Sequence, residues 1–154
     1  MLSWQIGDVR VTQVVELTTA SLGPYLLPQA KPELMQAIPW MAPFLDERGH
    51  IVLSIHALVI ESADHTIVVD TCIGNDKPRT YPKWNLMQGD FLARFAAAGF
   101  TTEQVDTVLC THMHVDHVGW NTRWVDSRWQ PTFPRAQYLF AQDEWHHWRQ
   151  EAQE

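Results

Sequence analysis

Thr111-His112-Met113-His114-Val115-Asp116-His117-Val118-Gly119 is the stretch on which the reading of this chain turns. Three histidines and one carboxylate fall within the six residues 112–117. Isolated ionisable groups are costly to bury, so such a cluster needs a physical reason. Metal binding supplies one, because neutral imidazole nitrogen and carboxylate oxygen are ligands that zinc takes. The preceding run, Val105-Asp106-Thr107-Val108-Leu109-Cys110, reads as a short, largely buried strand. Residues two apart on an extended chain point the same way, so His112 and His114, just past the strand end, can both reach one ion. Asp116 and His117 are adjacent and share that direction only if the chain curls. A helix starting at Asp116 would give the curl, and a carboxylate is favoured at a helix N-terminus. Four ligands divided in this way suit two ions, typically about 3.5–4 Å apart. Gly119 leaves room for close approach of another backbone.

His112-x-His114-x-Asp116-His117, placed at a strand end, resembles the signature of the metallo-β-lactamase superfamily. A second stretch agrees. Thr66-Ile67-Val68-Val69 reads as a strand ending in Asp70-Thr71-Cys72-Ile73-Gly74-Asn75, similar to the family's strand followed by Asp-Thr-Gly. Cys72 stands where glycine is usual, so a somewhat different turn is expected there. The resemblance implies that Asp70 supports the metal-binding loop without being a ligand, and a carboxylate behind a ligating imidazole has the physical role of orienting it.

Outward from these two motifs, Trp4-Gln5-Ile6 and Val9 to Leu17 read as strands joined in a hairpin at Gly7-Asp8. Residues 21–44 carry Pro24, Pro28, Pro32, Pro39 and Pro43, so only short elements are expected, including a helix opening at Pro32. This segment is also apolar, with Tyr25, Leu26, Leu27, Met35, Trp40, Met41 and Phe44. It reads either as a lid or binding loop or as ordinary packing outside a sheet. Asp46 to His50 is a turn. Ile51 to Ile60 is a near-continuous apolar strand suited to burial on both faces, with His56 as a core or near-core residue and not a ligand. His50 and His65 fall in turns and read as solvated.

Phe91, Leu92, Phe95, Ala96 and Ala98 make one apolar face of a helix over 90–98, with Gly99 ending it. Thr101 to Gln104 offers a capping box. Beyond the motif, Trp120 and Trp124 are candidates to line a pocket, Trp120 above all because it lies three residues from His117. Residues 127–135 read as loop, 136–141 as a strand, and 143–151 as a helix on which His146 and His147 face solvent.

The chain has 154 residues, 45% of them hydrophobic, with a net charge of -7 and no run of cations. Its length favours one domain over 1–154. The charge disfavours nucleic acid as a partner, since phosphate binding relies on clustered cations. Cys72 and Cys110 read as buried free thiols, not as a disulfide framework. Neither a signal peptide nor a membrane-spanning run is evident, so the expected location is cytoplasmic with no membrane partner.

The resemblance implies an α/β fold, the αββα sandwich of the family, of which this chain matches the N-terminal half. It implies a dinuclear zinc (Zn2+) hydrolase. His112, His114, Asp116 and His117 would be the metal ligands, Asp116 would also orient the nucleophile, and a small ester, lactone or related molecule would be the substrate. Cleavage of β-lactams or organophosphates stays open, as does iron or manganese in place of zinc. The family's remaining ligands, two histidines and a bridging aspartate, match nothing here. By itself the stretch is therefore expected to be nearly inactive, and either to continue in a C-terminal half or to associate as a homo-oligomer through an exposed sheet face. The alternative is an inactive half-domain that serves as an assembly or interaction piece.

Overall fold

The computed structural model describes residues 2–151. It divides into two compact units, one taking residues up to Glu16 and from His56 onward, the other Leu17–Ile55. The strands, in chain order, are β1 (Ser3–Ile6), β2 (Val9–Thr19), β3 (Leu53–Ser62), β4 (His65–Val69), β5 (Thr107–Leu109), β6 (Thr122–Val125), β7 (Arg128–Pro131) and β8 (Gln137–Leu139). Six of them form one sheet in the order β1-β2-β3-β4-β5-β8, and β6 and β7 form a separate hairpin. The helices are α1 (Gly23–Leu26), α2 (Pro32–Gln36), α3 (Phe91–Ala97) and α4 (Gln142–Glu151). No helix among the described residues is long and apolar enough to cross a membrane.

In the larger unit, β1 and β2 form the expected hairpin, with Ile6 opposite Val9. β3 and β4 are antiparallel, whereas β4, β5 and β8 run parallel. The parallel strands all end on one side, and the histidine motif leaves β5 at that carboxyl end, where open α/β sheets place their ligands. Strand β3 corrects one expectation. Ile55, Ala57 and Val59 are buried, but His56, Leu58 and Ile60 on its other face are only half-buried, so burial alternates.

Helix α3 buries Phe91 and Phe95 and ends at Gly99, whose φ is +94°. Phe95 packs against Phe100 and Phe133 at centroid separations of 5.5 and 5.7 Å. Phe91 stacks on Trp120 at 5.7 Å. These rings are the aromatic core of the unit, each contact adding about 0.5–1.5 kcal/mol beyond area burial.

The Leu17–Ile55 unit is built of short turns, as its prolines dictate. α2 opens at Pro32, and a 3-10 helix spans Pro39–Phe44. Asp46 Oδ1 accepts the Arg48 and His50 amides at 2.9 and 2.8 Å, closing the expected turn. Met41 is buried and Met35 half-buried, while Tyr25, Leu26, Leu27, Trp40 and Phe44 are exposed.

The expected helix at Asp116 is absent. Residues 115–117 form a turn, His117 N donating to His114 O at 3.0 Å, and a 3-10 helix follows at Gly119–Asn121. The physical reason lies in another segment. Gly119 N donates to Cys72 O and Trp120 N to Thr71 O, both at 2.7 Å, and Thr71 N donates to His117 O at 2.7 Å. The backbone groups a helix would pair internally are taken by residues 71 and 72. Residues 127–135, expected as loop, instead supply β7 of the hairpin, whose turn residues Asp126 and Ser127 have φ of 51° and 61°.

This backbone contact is testable. A Cβ on Gly119 would sit 1.9 Å from the Ile73 carbonyl carbon and oxygen. Gly119→Ala is expected to cost about 3 kcal/mol or more in urea unfolding, among the larger effects of single substitutions. Gly99→Ala meets nothing within 4 Å and carries only the left-handed backbone cost, about 1–2 kcal/mol. Equal losses in the two variants would refute the close approach.

Candidate metal centre

Asp70 stands where β4 ends, in the left-handed region at φ 58°. Its Oδ1 accepts the Thr111 amide at 2.8 Å. Its Oδ2 accepts the Thr111 hydroxyl and His117 Nδ1, each at 2.8 Å. Burial works to raise the Asp70 pKa, but the bonds from His117 and Thr111 prevail and hold it below the ordinary carboxylate range. The loop after Asp70 keeps a left-handed residue at Cys72, φ 52°, where the related motif has glycine. Cys72 is fully buried, and burial pushes its thiol well up.

The motif side chains gather beside Asp70. The His112 and His117 rings have centroids 3.9 Å apart, and those of His112 and His114 4.6 Å. His112 Nδ1 lies 3.1 Å from Thr111 Oγ1. His117 Nε2 faces Asp116 Oδ2 at 3.5 Å. His117 is thus held between two carboxylates, Asp116 first and Asp70 second in effect, and its pKa is pushed up to about 9. Asp116 is drawn below the ordinary range by His117 although burial opposes this.

The donor types in the motif, imidazole nitrogen and carboxylate oxygen, are ones a divalent ion takes. Zinc bonds of about 2.0–2.2 Å in tetrahedral array put neighbouring donor atoms roughly 3.3 Å apart, near the observed Asp116–His117 separation. Among the described residues, no three His, Cys, Asp or Glu side chains are disposed to close on one ion.

Several supporting residues escaped the sequence reading. Glu16, 5% exposed on the inward face of β2, accepts Ile73 N at 2.7 Å and Gly74 N at 3.1 Å through its carboxylate. It also accepts Trp120 Nε1 at 2.7 Å. Burial raises its pKa, and these three donors work against that rise. Trp120, expected to line a pocket, is 4% exposed with its indole between Glu16 and Phe91; it is a core residue. On the other side of the motif, Glu144 Oε2 accepts Met113 N at 2.8 Å, and Trp148 meets the His114 ring edge-on at 5.6 Å. A carboxylate within an otherwise buried strand face was the available signal for Glu16. Glu144 and Trp148 sit one turn apart on α4 but have no local mark that ties them to the motif. His146 and His147 are exposed on α4.

A family model described as the metallo-beta-lactamase superfamily matches residues 50–154. Among solved structures, a probable metal-dependent hydrolase from Staphylococcus aureus is 26% identical with a TM-score of 0.73, the match covering 96% of this chain and 52% of that one. The hydrolase AbOPH, in the beta lactamase superfamily, is 26% identical with a TM-score of 0.68, over 95% and 46% of the two chains. AidC, a dizinc quorum-quenching lactonase in complex with a product N-hexnoyl-L-homoserine, is 19% identical with a TM-score of 0.68, over 96% and 46%, and supports the fold alone. The chain therefore spans about half the length of the structures it matches. No curated protein matches it.

The carboxylate pair around His117 has a pH signature. The His117 pKa in the metal-free chain lies above its ordinary 6.5, so its contribution to stability is complete below about 6.5 and fades as pH rises through about 9. Proton NMR of the metal-free protein should show His117 titrating far above a solvated histidine. Asp70→Asn should lower that value without abolishing the shift, because Asp116 is the larger cause. A wild-type His117 titrating near 6.5 would contradict the arrangement.

Proposed function

The chain belongs to the metallo-beta-lactamase superfamily, and from that premise we propose that its protein is a dinuclear zinc hydrolase of a small, neutral ester or lactone. The observation that carries the reading is the gathering of His112, His114, Asp116 and His117 at the carboxyl end of β5, with Asp70 bonded to His117 Nδ1 behind them. His112 and His114 would hold one ion, and Asp116 and His117 the other. The chemistry zinc supplies when bound is a water acidified toward neutrality and a polarised substrate carbonyl.

The chain's own groups do the rest. Asp70 keeps the Nδ1 proton of His117 and so directs Nε2 forward, the usual work of a carboxylate behind a ligating imidazole. Asp116 accepts a hydrogen bond from the attacking water and aims it. A catalytic zinc commonly has three protein ligands, so two per ion hold each ion weakly. Further ligands from the longer protein that its relatives' length suggests would complete the site, and the present stretch alone would be nearly inactive. Neutral substrates suit a chain of net charge -7, whose field repels anions. The half-buried indole of Trp148 beside His114 suits an apolar substituent.

The test is turnover of an ester and lactone panel by the zinc-loaded full-length protein. His114→Ala should lose metal and activity together. Asp116→Asn should retain the fold but cut turnover by about 100-fold or more, as removal of a charged group from a preorganised site does. Undiminished turnover in His114→Ala would refute the site, and zinc binding without turnover of any ester or lactone would refute the substrate class. Calorimetry adds a check independent of substrate. With His117 protonated in the metal-free chain at pH 7.5, zinc binding should release about one proton at that nitrogen. Affinity should therefore rise with pH toward 9.

A further inference from the structure

Helix α4 brings against the motif two side chains, Glu144 and Trp148, that are not among the proposed metal ligands. Glu144 Oε2 accepts both Met113 N, at 2.8 Å, and Trp148 Nε1, at 3.2 Å. Glu144 and Trp148 are four residues apart and so share one face of the helix. The Trp148 indole meets the His114 imidazole at a centroid distance of 5.6 Å and an interplanar angle of 78°, an edge-to-face contact. Met113 is the residue between His112 and His114. Its amide belongs to the rigid peptide plane that joins it to His112, so a bond to that N–H restrains the backbone torsions on both sides. The two imidazoles leave the chain from either end of this restrained segment.

We propose that Glu144 and Trp148 are positioning residues for His112 and His114, Glu144 through the Met113 amide and Trp148 through the edge of the His114 ring. The inference rests on the reading of His112 and His114 as metal ligands. Two features separate it from a general stabilising role. Trp145 of the helix stacks at 5.7 Å on Phe140, two residues before its start, a contact that involves neither Glu144 nor Trp148. Glu144 also reaches past its own helix to a backbone donor 31 residues away. Its carboxyl lies below the ordinary range, first because of that amide, so the acceptor is ionised at neutral pH.

The experiment measures zinc affinity by chelator competition, and the visible absorption of the cobalt-loaded form, in the full-length protein. Thermal midpoints are followed in parallel. Glu144→Ala should weaken zinc binding by about 10-fold or more, the scale on which partners behind metal ligands act, and alter the cobalt spectrum. Its thermal midpoint without metal should stay close to wild type. Glu144→Gln keeps an oxygen for the Met113 amide and should recover most of the affinity. Trp148→Ala should alter the cobalt spectrum, and Trp148→Phe, which restores a ring edge, should reverse the change. Glu144→Ala binding zinc as tightly as wild type would overturn the proposal while leaving the ligand assignment intact. So would Glu144→Gln binding as weakly as Glu144→Ala, since charge and not the hydrogen bond would then be at work. A wild-type protein that binds no zinc, or a His114→Ala variant that binds it undiminished, would overturn the ligand assignment and this inference with it.

Discussion

Two backbone segments lie against each other with no side chain between them, and the rest of the site depends on that contact. Residues 71–73, just beyond β4, meet residues 117–120, where the histidine motif ends. Gly119 approaches Ile73 so closely that a Cβ would overlap its carbonyl, and the Thr71, Gly119 and Trp120 amides all cross between the segments at 2.7 Å. A buried amide left unpaired would cost about 1–3 kcal/mol, so three reciprocal bonds define one register and penalise any other. The register sets where the motif ends. His117 gives its carbonyl to Thr71 and its ring nitrogen to Asp70, one residue earlier on the same loop. Backbone and side chain of one residue are thus fixed by adjacent residues of another segment.

Around this contact, three carboxylates from distant parts of the chain act in the same way. Asp70 takes the Thr111 amide at the start of the motif, Glu144 the Met113 amide within it, and Glu16 the Ile73 and Gly74 amides behind it. A carboxylate is suited to this because it accepts several bonds at once, and charge-assisted bonds are roughly twice as strong as neutral ones. The cost is desolvation, largest for Glu16, whose burial pushes its pKa up although three donors oppose the rise. Each carboxylate also holds a side chain: His117 for Asp70, Trp148 for Glu144, Trp120 for Glu16. The motif's backbone and the rings that flank it are therefore held by the same three groups.

What could be read from sequence follows from how local each signal is. The strand before the motif, the Asp70 turn, the Gly7-Asp8 hairpin, the Pro32 helix and the helix at 143–151 all rest on neighbours within a few residues, and all are present. At Asp116 a local signal competed with a distant one. The carboxylate and the need to curl favoured a helix, but Thr71 and Cys72 claim the backbone groups a helix needs, and they lie more than 40 residues earlier. The β6–β7 hairpin turns on Asp126 and Ser127 in left-handed conformations that Asn-Gly would have announced more clearly. Glu16 sits between Val15 and Leu17 in a strand whose inward face is otherwise visible, but its partners are 57 and 104 residues away. Trp120 lies three residues from His117 along the chain, which suggests a place in a pocket. In the fold its indole turns the other way, toward Glu16 and Phe91.

The charge at His117 follows from its two carboxylate neighbours, Asp116 and Asp70. Asp70 and Asp116 both lie against one imidazole, and two carboxylates around a neutral ring would repel each other in a partly buried setting. A proton on His117 resolves this, giving each carboxylate a donor, which is why that ring holds its proton up to about 9. Of its two nitrogens, Nδ1 is committed to Asp70 at 2.8 Å, whereas Nε2 faces Asp116 at 3.5 Å, a looser contact. A divalent ion held at Nε2 would have the Asp116 carboxylate already beside it. It would carry one more positive charge than the proton it displaces, in a position where two negative charges are fixed. The two carboxylates that raise the His117 pKa would thus also favour a divalent ion at Nε2, the role proposed for this histidine.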